Sequence, residues 1–230
     1  MVVKADLSIR LTMARQSQGY QEATVTTKND AFFETVLSDP VERELLLELW
    51  LIRAEFIAAE FESGQQILEL YQLILSCTLR QDWRGACHDT SAAFYVLARE
   101  LGLSPSLHIG TVQAPGGRFS HSWVEFDGKI FDTAICFPNE NAIPAGPPIF
   151  GSYGLSDGEP HQLVFAVQNH PFDDPANRIA KLDLYNYGLE QDTPHMLWSV
   201  IQYLGRNIGL DLAIHDLQTK YGQVVRQIHK

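Results

Sequence analysis

Two stretches decide how this chain folds: WRGACHDTSAAFYVLAREL at residues 83–101 and FSHSWVEFDGKIFDTA at residues 119–134. In the first, Gly85 and Ala86 lead into apolar spacing that predicts a helix from about Ala86 to Leu101, closed by Gly102. Cys87 falls in its first turn, where backbone N–H groups lack partners and the positive end of the dipole favours a thiolate. In the second, Asp127-Gly128 is a two-residue turn signal flanked by His-Ser-Trp-Val-Glu-Phe and Lys-Ile-Phe-Asp-Thr-Ala. That pattern predicts a hairpin.

The hairpin has a testable register. A turn at Asp127-Gly128 pairs Phe126 with Lys129, so Trp123 faces Asp132 and His121 faces Ala134. His121 and Asp132 then become diagonal neighbours on one face, roughly 7–8 Å apart at the backbone, a gap two side chains can span. A slip of one residue would put them on opposite faces. In the predicted register a carboxylate holds the imidazole while the other ring nitrogen points at a thiol, the logic of a catalytic triad.

Composition narrows the classes. At 230 residues, with 45% hydrophobic residues, the chain suits one domain with extensions or at most two small ones. A net charge of −11, with no basic run, argues against nucleic acid and anionic membranes as partners. The start, MVVKADLSIRLTMARQ, lacks the apolar core of a signal peptide. The greasiest stretch is broken by Glu48, Arg53 and Glu55, so no membrane span is expected. Three cysteines without a CxxC pair suggest a reducing cytoplasm, with Cys77 and Cys136 as free thiols.

Along the chain, residues 1–30 look weakly structured, with a strand around Ala23–Thr27. Asp39-Pro40 caps a helix running to about Glu62, with apolar residues nearly all round. Gly64 separates it from a second helix, about Gln65–Leu79. Both read as core packing. SPSLHIGTVQ and HQLVFAVQ read as strands, and two helices are expected between Pro194 and about Ile228, separated near Gly205–Gly209. Phe137 to Pro160 is a long Pro- and Gly-rich loop, placed after Asp132 to fold over a site.

Gly85-Ala86-Cys87-His88-Asp89, then His121-Ser122-Trp123-Val124-Glu125, then Asp132 resembles the transglutaminase-like branch of the papain-like cysteine protease superfamily, over about residues 81–135. Within it, HIGTVQ…HSWVEFDGKIFDTA is similar to the leader peptidases of lasso-peptide maturation. The resemblance implies an α+β, papain-like fold, with a helical layer carrying the Cys87 helix packed on an antiparallel sheet that supplies His121 and Asp132. It implies one domain over 1–230: an N-terminal helical part to residue 80, a catalytic core over 81–170 and a C-terminal helical extension. Cys87 would be the nucleophile, His121 the base and then the acid, and Asp132 the group orienting the imidazole. The Cys87 N–H and one upstream donor would meet the oxyanion; Gln81 and Trp83 are the candidates, through side chain or backbone. Trp123 would form a wall beside the site.

Simpler roles stand beside these. A lone helical cysteine is usually a small buried hydrophobe, and Cys77 and Cys136 are taken as such. His88 invites a zinc site with Cys87, His121 and Asp132, but adjacent helical positions diverge by about 100° and would not converge on one ion. No metal or cofactor is therefore expected. Glu125 reads as a surface charge, Asp89 as a partner of the helix dipole, and His108, His161, His170, His195, His215 and His229 as background. The function expected is thiol-dependent hydrolysis of an amide bond in a peptide or protein, as a peptidase or deamidase. The alternatives are an acyltransferase and a non-catalytic binding module. Hydrolysis is preferred because the sequence shows no second acidic cluster for an amine acceptor.

Overall fold

A computed structural model describes residues 37–140, 142 and 144–229; the strand expected at Ala23–Thr27 lies outside them. Three helices come first: α1 (Pro40–Ala58), α2 (Gly64–Arg80) and α3 (Cys87–Glu100). Strands β1 (Ser106–Ala114), β2 (Gly117–Phe126) and β3 (Lys129–Phe131) follow, then the short pair β4 (Ile149–Phe150) and β5 (Tyr153–Gly154). The chain continues through α4 (Asp174–Ile179), α5 (Leu184–Leu189), α6 (Met196–Asn207) and α7 (Ile214–Tyr221) to β6 (Gln227–His229). The architecture is α+β, with helices packed on a sheet of order β3-β2-β1-β6.

Each early helix starts and ends where local chemistry dictates. Asp39 accepts from the N–H groups of Val41 and Glu42 (2.8 and 3.1 Å), with Pro40 at the first helical position. Ile67, Leu70, Tyr71 and Ile74 give α2 a single buried stripe at helical spacing. In α1 only one face, with Leu47, Trp50, Ala54 and Ile57, enters the core. Val41, Leu45, Ile52 and Phe56 point outward, so its all-round apolar pattern does not mean all-round burial.

The sheet departs from expectation at one edge. β1, β2 and β3 are antiparallel, but β6 pairs with β1 in parallel, making the sheet mixed. The C-terminal stretch thus yields two helices and then a strand. HQLVFAVQ is not a strand: Val164 makes an isolated bridge to Gln113, and Ala166 takes positive φ (59°), which breaks the extended run. The Phe137–Pro160 segment is not simply a surface loop either. Ile149 and Phe150 are buried, and Ile149 exchanges both backbone hydrogen bonds with Asp132 at 2.9 Å.

The β2–β3 register is the expected one: Phe126 pairs with Lys129, Glu125 with Ile130 and Val124 with Phe131. Asp127 and Gly128 both take positive φ, 49° and 71°, as a type I′ turn demands. A Cβ at Gly128 would meet no atom within 4 Å, so Gly128→Ala isolates the backbone strain. We expect it to destabilise the fold by about 1 kcal/mol. The readout is a lower urea midpoint at unchanged m-value; an unmoved midpoint would show that this turn geometry is not needed.

Candidate active site

Asp132 directly follows β3. Its N–H and C=O are taken by Ile149, and the buried Tyr71 hydroxyl of α2 donates to the same carbonyl (3.2 Å). Carboxylate Oδ1 accepts from the N–H groups of Ala134 and Ile135 (2.9 and 3.0 Å), a local turn that an Asp side chain readily forms. Oδ2 is left for His121, whose Nε2 lies 2.5 Å away. Both side chains are buried, with His121 4% and Asp132 3% exposed.

Cys87 arrives from the other layer. Gly85, at φ 65°, donates its N–H to the Phe137 carbonyl (2.9 Å), and a Cβ there would lie 1.9 Å from Asn139 Oδ1. Only glycine fits this approach to the helix. Ala86 at the N-cap has no side chain to cap α3; the Asp89 N–H is taken by the Ala86 carbonyl (3.1 Å), which leaves the N–H groups of Cys87 and His88 to an anion. Cys87 is half-buried, and His88 and His121 are the charged groups that act on its thiol.

These contacts set the protonation states. Burial by itself would push the Cys87 thiol up, but the charges and hydrogen bonds of His88 and His121 outweigh it and bring the thiol well below its ordinary range. Burial likewise opposes charge on His121, yet the Asp132 carboxylate and the Cys87 sulfur raise the imidazole to about 10. Both directions favour a thiolate beside an imidazolium. Cys136 and Cys77 go the other way, both thiols raised by burial.

The remaining candidates are placed differently. The backbone N–H groups of Gln81 and Trp83 are already spent on the carbonyls of Cys77 and Thr78, both at 2.9 Å, so neither can serve an oxyanion through its backbone. Their side chains remain, Gln81 exposed and Trp83 half-buried. Trp123 is only 1% exposed and offers no wall to a substrate. It stacks on His108 (5.5 Å) and His229 (5.7 Å) and donates to Glu125 Oε1 (2.8 Å), so Glu125 is tied into this cluster rather than free at the surface. Phe119 and Phe165, not Trp123, stand edge-on to the His121 ring, at 5.7 and 6.4 Å.

Several neighbours had no signature in the sequence. The Asp89 carboxylate accepts from the Tyr187 hydroxyl (2.9 Å) and the Gln191 amide (2.6 Å), and burial raises it despite these bonds. Arg226, 2% exposed, donates to the His88 carbonyl (3.1 Å) and lies over the Tyr187 ring (4.6 Å). Tyr187 and Arg226 lie 98 and 138 residues downstream of the residues they bond, pairings no local pattern encodes. Among the described residues, no group of three or more His, Cys, Asp or Glu side chains is arranged to hold a metal. No helix among them is long and apolar enough to cross a membrane.

Iodoacetamide at about pH 6 tests these protonation states. We expect Cys87 to be carbamidomethylated first, with Cys77 and Cys136 lagging. Equal labelling of the three, or Cys87 last, would contradict a thiolate at that position.

Residues 51–137 match the family model of the transglutaminase-like superfamily, a stretch that contains Cys87, His121 and Asp132. The match reaches back beyond the motifs, into α1 and all of α2. No curated protein and no solved structure matches the chain, so the narrower likeness to lasso-peptide leader peptidases gains no support.

Proposed function

Starting from this transglutaminase-like core, a fold used by cysteine-based hydrolases and transferases, we propose that the protein is a thiol-dependent hydrolase acting on an amide bond. Cys87 is the nucleophile, His121 the general base and acid, and Asp132 the group that orients His121. One observation supports this reading: His121 Nε2 is held by a carboxylate whose other oxygen is pinned by two backbone N–H groups, and the Cys87 sulfur is among the groups that raise the imidazole.

The Cys87 thiolate attacks the carbonyl carbon and forms the C–S bond. The oxyanion is met by the Cys87 N–H and by the side chain of Gln81 or Trp83. His121 then gives its proton to the leaving nitrogen as the C–N bond breaks, leaving a thioester. In the second half, His121 takes a proton from water as the oxygen attacks. The C–S bond breaks, the acid product departs and the thiolate–imidazolium pair is restored.

A second outcome is transfer to an amine, and one feature favours it. Asp89, Glu190 and Asp192, far apart in sequence, line one cavity of about 320 Å³ together with Tyr187, Leu182 and Met196. Arg178 lines the same cavity and already pairs with Glu190 (3.2 Å), and Asp89 is engaged by Tyr187 and Gln191, so the support for a cationic acceptor is slight. Hydrolysis remains the first reading, because water is present at about 55 M and transfer needs an ordered acceptor.

Two experiments test this. Glutamine-containing peptides and esters, assayed with and without millimolar primary amine, should give mainly the free acid; mostly amine conjugate would replace hydrolase by acyltransferase. Loss of Cys87 with turnover retained would overturn both. The pH profile adds a sign. Activity needs the thiolate, present above the lowered Cys87 pKa, and the imidazolium, present below the raised His121 value of about 10. The kcat/KM profile should be a bell whose alkaline limb lies near 10. Asp132→Asn removes the charge that most raises His121, so this limb should move down, with kcat reduced roughly 10²–10⁴-fold. An unmoved limb would remove Asp132 from the site.

A further inference from the structure

Two further imidazoles meet on the sheet face that carries His121. His108 of β1 and His229 of β6 face each other nitrogen to nitrogen, Nδ1 to Nε2 at 2.9 Å. Both rings stack on Trp123, at 5.5 and 5.7 Å. Gly110 makes the room, since a Cβ there would lie 2.9 Å from the Trp123 ring and 3.1 Å from His229. In β6, Gln227 and Ile228 are exposed, so His229 is the side chain by which this strand grips the sheet. The residue just before β6 is Arg226, which donates to the His88 carbonyl in the first turn of α3 (3.1 Å). The imidazole pair therefore anchors the segment that reaches the Cys87 helix.

We propose that the His108–His229 pair is an acid-sensitive latch, which holds β6 and Arg226 in place while one of the facing nitrogens is bare and releases them when both carry a proton. A hydrogen bond between two imidazoles needs one donor and one acceptor. One added proton leaves the bond intact, because the neutral partner still accepts. A second sets two N–H groups and two positive charges against each other, and like charges at this distance disfavour the charged form. Around His108, the Ser106 hydroxyl oxygen lies 2.7 Å from Nε2, and Glu125 Oε2 of β2 lies 3.7 Å from the same nitrogen. Beyond Trp123, Phe165 packs on the indole (5.0 Å) and His161 on Phe165 (5.3 Å). Burial holds the His108 imidazole below its ordinary value; Glu125 pulls the other way, and the His229 charge lowers it again. The latch is thus fully closed above the ordinary histidine value of about 6.5, and its contribution is lost as the pH falls from there through the lowered one. It goes beyond the reaction proposed above and holds whichever reaction Cys87 performs.

Backbone amide exchange of the full chain, read by mass spectrometry and corrected for the intrinsic pH dependence of exchange, tests this between about pH 7.5 and about pH 5. In wild type the peptide over residues 222–229 should lose protection about tenfold or more on acidification, the factor that one unit of pKa difference carries. The peptide over residues 86–93 should lose protection with it, while α2 keeps its own. His229→Phe retains a ring on Trp123 but takes no proton, so the acid-induced loss should vanish. Glu125→Gln removes the charge that favours a proton on His108, and should move the loss to lower pH. Wild-type protection that does not change between the two pH values overturns the proposal, as does an equal loss in His229→Phe or a loss confined to residues 222–229. Where His229→Phe fails to fold or lacks protection at the higher pH, Glu125→Gln decides, and a loss at the wild-type pH or above it overturns the latch.

Discussion

The site depends on one buried carboxylate. A charge as enclosed as Asp132 costs several kcal/mol to remove from water unless it is paired and hydrogen-bonded. Here Oδ1 takes two backbone N–H groups and Oδ2 takes His121, each charge-assisted bond contributing about 1.5–3 kcal/mol against that cost. Because Ala134 and Ile135 fix the carboxylate, His121 has one position in which its partner is satisfied. The ring is thereby oriented through Nε2, and Nδ1 is left clear of the carboxylate. The backbone at Asp132 is clamped in turn by Ile149 and by Tyr71. This explains why a segment rich in Pro and Gly is folded into the core: Ile149 continues the hydrogen bonding where β3 stops.

The cysteine side is arranged by the opposite means. Asp132 is over-determined by bonds, whereas the first turn of α3 is left without a side-chain cap. Uncapped N–H groups cost stability, and the same groups favour an anion at Cys87. The approach is fixed by Gly85, whose missing Cβ lets Asn139 lie against the backbone. Arg226 closes the far side of that turn. It is nearly fully buried, and its Nε and Nη1 have no protein partner among the described residues. A cation this poorly compensated is held by its bond to His88, its stacking on Tyr187 and the nearby Asp89 carboxylate, so the last strand and the first turn of α3 are coupled through one residue.

The hairpin shows how far a local pattern reaches. Asp127-Gly128 carries its own turn geometry, and side-chain alternation fixes which residues share a face, so the His121–Asp132 neighbourhood could be derived before any tertiary contact was known. The same logic failed at HQLVFAVQ. Its apolar residues suit a strand, but Ala166 adopts left-handed backbone, and only Val164 completes a bridge. It failed differently at Trp123, whose face was correct but whose surroundings were not: His108 and His229 from neighbouring strands enclose it, and β6 pairs with β1 across a long sequence gap.

By itself, then, the amino-acid sequence determined the helix that carries Cys87, the turn that sets the β2–β3 register and the shared face of His121 and Asp132. Each follows from interactions within a few residues, where backbone geometry leaves few choices. Tertiary structure alone decided the rest. It brought Asp89 to Tyr187 and Gln191, placed Arg226 behind His88, gathered Asp89, Glu190 and Asp192 around one cavity, and added β6 in parallel. Those contacts join segments that share no periodicity, and they form because burying apolar faces of α3, α5 and α6 leaves these polar groups only one another as partners.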